Sequence, residues 1–271
     1  MSSPKLMLIL VLFLAFPVLA FAGPLPDTGQ FKCYDNKEEI LCPPPNEDFY
    51  GQDAHYISTP RSFTKLDAQG NDLPETSPSW VMVRDNVTRL IWEVKHNSDR
   101  VKNYGNPHDP DNYYTWYNSD SETNGGDAGA PGDDTDTEDF IHALNAEHFG
   151  GYSDWRLPSL KELSTLVNAG YYLPATDIRW FPNTANEYYW SSTTDAGYVD
   201  SARPVRFSYG SVLGYVRKGS NLSVRAVRGG GEPSKVLVDN GDGTVTDLTT
   251  GLMWQKETAP VSYTHLTLPT N

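Results

Sequence analysis

Carboxylates crowd one stretch of this 271-residue chain. Between Asn103 and Trp155 there is no lysine or arginine, while twelve Asp and Glu residues fall there. Asp133, Asp134 and Asp136 stand just ahead of Glu138 and Asp139, and Asp109 and Asp111 lie in the same polar region. Hard cations take oxygen ligands from carboxylates and loop carbonyls. These five aspartates are therefore candidate metal ligands with calcium as the ion, against the alternative of a solvated acidic loop. Asp239-Asn240-Gly241-Asp242-Gly243 has part of a calcium-loop pattern but lacks the distant bidentate Glu, and an Asx–Gly turn accounts for it as well. In the midst of the acidic stretch come Tyr113, Tyr114, Trp116, Tyr117 and Asn118. Exposed aromatics stack on sugars and Asn bonds their hydroxyls, so these five are candidate ligand-binding residues. The competing reading packs the same rings at the base of a long loop. Trp92, Trp155 and Trp190 sit inside structural patterns and are expected in the core.

Catalytic constellations are missing. Ser191-Ser192 has no G-x-S-x-G elbow around it, and the histidines show no H-E-x-x-H spacing. The chain is expected not to be an enzyme. Its formal net charge of −14 disfavours nucleic acid and sulfated glycans as partners. A local basic patch of Arg203, Arg206, Arg217, Lys218 and Arg225 would be needed to reverse the second exclusion.

Cys33 and Cys42 are the two cysteines, flanking a short polar turn. Met1–Ala22 carries Lys5, an apolar run and Ala20-Phe21-Ala22, the pattern of a secretory signal peptide. Export to a periplasmic, cell-surface or extracellular location is the expectation, with no membrane span in the mature chain. An oxidising compartment then favours a local disulfide, worth about 2–3 kcal/mol for so small a loop. The rival reading, a metal-binding pair, finds no histidine or third cysteine near it in sequence.

Elements to position these groups can be read along the chain. Residues 23–57 are Pro-rich and poor in aliphatics, an accessory segment. Residues 58–232 read as one globular domain. Trp80–Val83 and Leu90–Trp92 bracket Asp85-Asn86, which predicts a hairpin. Thr137, Glu138 and Asp139 open a first helix ahead of Phe140, Ala143 and Leu144. Ser159 and Glu162 form a capping box ahead of Leu163, Leu166 and Val167. Short strands are predicted at Tyr188–Trp190, Val205–Phe207 and Leu222–Ala226. Strand, long loop, two helices and more short strands make an α+β fold.

One stretch recurs. Val83-Asp85-Thr88-Leu90-Trp92 returns as Val245-Asp247-Thr250-Leu252-Trp254, an offset too long for a solenoid unit. Residues 233–260 are expected to be the truncated start of a second copy, loosely packed because part of a domain cannot bury its own core.

VRDNVTRLIWEVK, YTWYN, DWRLPSLKEL, YYWSST and SVRAVRGG together resemble the Lcl C-terminal domain family of bacteria over about Ser58–Gly230. The resemblance implies a C-type-lectin-like fold, distantly akin to formylglycine-generating enzymes, with extracellular binding or adhesion roles for some members. The reactive cysteine pair of those enzymes has no counterpart, since no cysteine follows Cys42. Family members often carry cysteines at the positions of Met82, Phe149-Gly150 and Ala226, so this domain is expected to hold by packing alone. Arg89 stands where the second copy has Gly251, which implies a different first turn. Val261–Asn271 departs from the family's pattern and is expected to be a non-native tail. The expected function is non-catalytic binding of a surface glycan or protein ligand; the alternative is a structural spacer or display module.

Overall fold

The sequence from Met82 to Glu93 builds the centre of the domain. A computed structural model describes residues 25–132, 135–212, 214–230, 237–248 and 252–257. Met1–Ala22, residues 261–271, Asp133 and Asp134 lie outside the described residues. In the N-terminal segment β1 (Cys33–Tyr34) pairs antiparallel with β2 (Glu39–Ile40), and Cys33 is bonded to Cys42. The domain then enters through β3 (Phe63–Leu66), β4 (Asp72–Leu73), β5 (Met82–Asp85) and β6 (Ile91–Glu93). Helices α1 (Thr137–Ala146) and α2 (Leu160–Ser164) follow. The strands β7 (Tyr188–Tyr189), β8 (Ser201–Ala202), β9 (Val205–Arg206), β10 (Val216–Arg217) and β11 (Val227–Arg228) complete it. The fold is α+β and mostly β, with antiparallel strands in small sheets.

The largest sheet runs β11-β6-β5-β3-β4. Strand alternation places successive side chains on opposite faces. Met82, Ile91 and Leu66 therefore pack on one face with Phe140 and Leu144 of α1, Trp116 and Trp190. Val83 and Trp92, which oppose each other in register, pack on the other with Leu163 of α2, Leu166, Phe181 and Phe207. A sheet covered on both faces explains why β5 and β6 are buried almost throughout.

The turn between β5 and β6 is fixed by Asp85. Its carboxylate accepts the amides of Val87 and Thr88, and its own amide donates to Leu90 O at 2.8 Å. Arg89 adopts φ 66°, a left-handed conformation that glycine tolerates better. The counterpart Gly251 lies outside the described residues. Met82, Gly150 and Ala226 are held by packing. A Cβ on Gly150 would fall 2.5 Å from the Met82 thioether, so these two positions are in direct contact, and Ala226 is fully buried.

Both helices are capped, the second as the sequence predicts. Ser159 and Glu162 form the reciprocal capping box. The first is capped one residue earlier than its sequence implies, by Asp136, whose Oδ1 accepts the amides of Glu138 and Asp139. The predicted strand at Leu222–Ala226 is not a strand. Its backbone bonds Tyr114 at Leu222 and Tyr188 at Ser223, then β6 at Ala226. Partners that change within five residues leave no ladder long enough, and the strand proper is β11.

A second unit, described by itself, is a three-stranded antiparallel sheet of β12 (Leu237–Asp239), β13 (Thr244–Asp247) and β14 (Met253–Gln255). Strands β12 and β14 are exposed along their whole length. Among the described residues no helix is long and apolar enough to cross a membrane.

Candidate functional site

Helix α1 begins beneath the aromatic run. Thr137 Oγ1 donates to Tyr117 O at 2.8 Å, and Tyr117 N donates back to Thr137 Oγ1 at 3.0 Å. Glu138 Oε1 accepts both the amide and the hydroxyl of Ser119. Asn118 Nδ2 donates to Thr123 Oγ1, and Asn118 Oδ1 accepts the Asp120 amide. These bonds hold the loop after Trp116 off the helix surface and leave a cleft of about 360 Å³ between them. Trp116, Ile141 and Leu157 give it an apolar floor; Tyr117, Asn118, Thr123, Glu138 and Ser192 give it a polar rim.

Its one cation, Arg156, is already engaged. The guanidinium makes two hydrogen bonds to the Glu162 carboxylate, at 2.7 and 2.8 Å, and another to Gly229 O. Burial raises the Glu162 pKa, but Arg156 and the Ser159 amide outweigh it and hold the carboxyl below its ordinary range. The cleft therefore offers hydroxyls, an amide and a carboxylate over apolar carbon. That set suits a neutral hydroxylated ligand.

The five aromatic-region candidates divide. Tyr117 and Asn118 line the rim. Trp116 contributes only the floor, being 1% exposed, with Nε1 donating to Ser191 O at 2.9 Å. Tyr114 is core, 2% exposed, and Tyr113 does not line the cleft. Trp92, Trp155 and Trp190 are buried.

The described aspartates are occupied by backbone amides. Asp109 Oδ1 accepts the Asp111 amide, Asp111 Oδ2 accepts those of Asp99 and Arg100, and Asp136 caps α1 while its Oδ2 accepts Gly132 N. Asp239 Oδ1 accepts the Gly241 amide, an Asx turn. The structure does not gather the described members of the set around one point. The only cluster of three metal-ligand side chains among the described residues is Cys33, Cys42 and His55.

The basic patch does not form. Arg225 and Lys218 are buried at 1% exposure, Arg203 pairs with Asp195, and Arg206 lies between the rings of Tyr188 and Tyr209. These four cations have local tasks that linear spacing does not reveal, and Arg217 alone of the set is exposed.

Sequence reasoning also missed a buried charge network. Glu93 is fully buried and its Oε1 lies 2.9 Å from Lys95 Nζ and 3.0 Å from His108 Nδ1. Its Oε2 accepts the Ala226 amide, and its carbonyl accepts from Arg225. Burial alone would raise the Glu93 pKa, yet the Lys95 and His108 contacts bring it down to about 2. Lys95 is also lowered, because desolvation and the nearby Arg225 outweigh what Glu93 returns. We read the pair as charged, since Lys95 Nζ also donates to Pro107 O at 2.8 Å and sits over the Phe140 ring. Glu93, Lys95, His108 and Arg225 do not line the cleft described above; they organise the core.

Comparison with curated protein sequences returns no match to this chain. The Lcl C-terminal domain profile matches residues 81–228, more than half of the chain and the span that holds both the cleft and the buried network, so the chain belongs to the Lcl C-terminal domain family.

Proposed function

We propose that this chain is an exported, non-catalytic binding module with a C-type-lectin-like domain, and that its ligand is a neutral glycan held in the cleft between Tyr117 and α1. The observation that carries this reading is an apolar floor under a hydroxyl and amide rim whose cation, Arg156, is tied to Glu162. A sulfated or otherwise anionic sugar would meet Glu138 with no available counter-charge. The leader-like Met1–Ala22 and the Cys33–Cys42 disulfide support an extracellular or periplasmic setting, and the adhesion roles that the resemblance implies for some family members support a part in adhesion.

Screening the full-length protein against neutral and sulfated oligosaccharides, with calcium and with chelator, tests this. Binding of a neutral sugar that Tyr117→Ala weakens about tenfold, equivalent to about 1.4 kcal/mol, is expected. Binding confined to sulfated sugars, or insensitive to Tyr117, overturns the cleft assignment. The second reading is a structural spacer or display module. It draws support from the burial of Tyr114 and Trp116, which spends the largest rings of the aromatic run on packing.

A further inference from the structure

The N-terminal segment holds the one cluster of soft and borderline ligands among the described residues. Cys33, Cys42 and His55 place one ligand atom each within 4.8 Å of the others. His55 Nδ1 lies 3.8 Å from Cys33 Sγ. In a tetrahedral zinc site with Zn–S about 2.3 Å and Zn–N about 2.0–2.1 Å, the S···N edge is about 3.6 Å. The histidine therefore already stands at nearly the distance a shared ion would require.

Its orientation is set from behind. His55 Nε2 lies 2.9 Å from Pro43 O, and the ring packs edge-on against Tyr50 at 4.6 Å. A ligating histidine commonly donates its second ring N–H to a backbone carbonyl, which fixes the tautomer and leaves the other nitrogen for the metal. With the proton on Nε2, the Nδ1 lone pair faces the sulfur. Gln52 O also lies 3.2 Å from Nδ1, a contact that suits only a protonated Nδ1.

The arrangement does not depend on the disulfide alone. Strands β1 and β2 pair Cys33 with Ile40 through the backbone. Gln52 brackets Tyr34, accepting its amide at 2.9 Å and donating to its carbonyl at 2.7 Å. That bracket holds the turn bearing His55 against the strand bearing Cys33. Cys33 is buried and Cys42 exposed, so a reductant reaches the bond from the Cys42 side and a bound ion would have an open fourth position for water.

We propose that this segment is a redox-gated metal site: on reduction of the Cys33–Cys42 bond, Cys33, Cys42 and His55 bind a thiophilic divalent cation, zinc being the best fit. A dithiol reductant supplies the two electrons and two protons, leaving as its own cyclic disulfide and freeing two thiols here. Binding the cation then releases those two protons as both thiolates ligate. The disulfide is the metal-free state. The site is separate from the glycan cleft and does not rest on that reading.

The test uses full-length protein reduced with a dithiol, freed of it without oxygen, and titrated with cobalt(II). A thiolate-to-cobalt charge-transfer band with tetrahedral ligand-field absorption, saturating at one ion and displaced by zinc, is expected. The oxidised protein should show neither feature. His55→Ala should weaken cobalt at least tenfold, and Cys42→Ser should abolish the band. Far-UV circular dichroism and the melting temperature of oxidised His55→Ala report whether the fold survives. A reduced wild-type protein that shows no band, folded or unfolded, overturns the proposal. So does an unchanged affinity in His55→Ala.

Discussion

The hairpins at Met82–Glu93 and Thr244–Gln255 share a register but not an environment. Val83 opposes Trp92 as Val245 opposes Trp254, and in both the Asp at the end of the first strand donates its amide to the carbonyl of the Leu ahead of the second, at 2.8 Å. The third strand matches too, since Phe63 opposes Asp85 as Leu237 opposes Asp247. Fifteen residues join that strand to the hairpin in the first case and four in the second, yet the pairing is the same. Burial is opposite. Trp92 is 0% exposed and Trp254 is 57% exposed. Strand pairing is thus written in about twenty residues, whereas burial depends on partners delivered by distant parts of the domain.

Removing the equivalent tryptophans should separate the two contributions most strongly. Trp92→Ala should lower unfolding free energy by about 3–5 kcal/mol, the usual cost of emptying a large core site. Trp254→Ala should stay within about 0.5 kcal/mol, as for an exposed position. Urea denaturation of both variants measures this; equal losses would break the comparison.

The next strand position sharpens it. Glu93 is a buried anion, while its counterpart Gln255 is exposed and neutral. Because the Glu93 pKa falls from 4.5 to about 2 on folding, its contribution is fully present above pH 4.5 and is lost as pH falls through about 2. A shift of that size corresponds to about 3 kcal/mol. Glu93→Gln should be less stable at neutral pH, leaving Lys95 and His108 without their carboxylate, and its stability should change less between pH 5 and 2. A slope identical to wild type would remove Glu93 from the account.

The smallest effect concerns the turn. Arg89 takes a left-handed φ of 66° where the recurring stretch carries Gly251 in sequence. Arg89→Gly should stabilise the domain by about 0.5–1 kcal/mol through relief of that conformation. A thermal melt checks the sign, and destabilisation would show that the guanidinium contributes more than the backbone loses.

What could be read from sequence was local. The Ser159–Glu162 capping box, the Asp85 hairpin and the Cys33–Cys42 disulfide each depend on groups within a dozen residues. The tryptophan core was legible because large rings at strand periodicity have few other places to go. Glu93 with Arg225, 132 residues apart, was not, nor was the tie between Lys218 and the Asn124 and Asp127 carbonyls. Buried charges are satisfied by whatever the fold brings near, and spacing is silent on that. Asp136, in an acidic run, serves the helix amides, a task its spacing from Glu138 and Asp139 does not distinguish from ligand duty. His55 was overlooked because twelve residues and a Pro-rich turn separate it from Cys42, although GQDAHY contains both the histidine and the glutamine that aims it.

The two central indoles tie neighbouring segments crosswise. Trp116 Nε1 donates to Ser191 O, and Trp190 Nε1 donates to Tyr114 O. Neither segment can peel away while the other stays, because each carries a donor whose acceptor lies in its partner. Separating the two segments breaks both bonds at once, so the floor of the cleft is expected to be rigid. If the proposed glycan occupies the cleft, selectivity falls to the hydroxyls, amide and carboxylate of the rim.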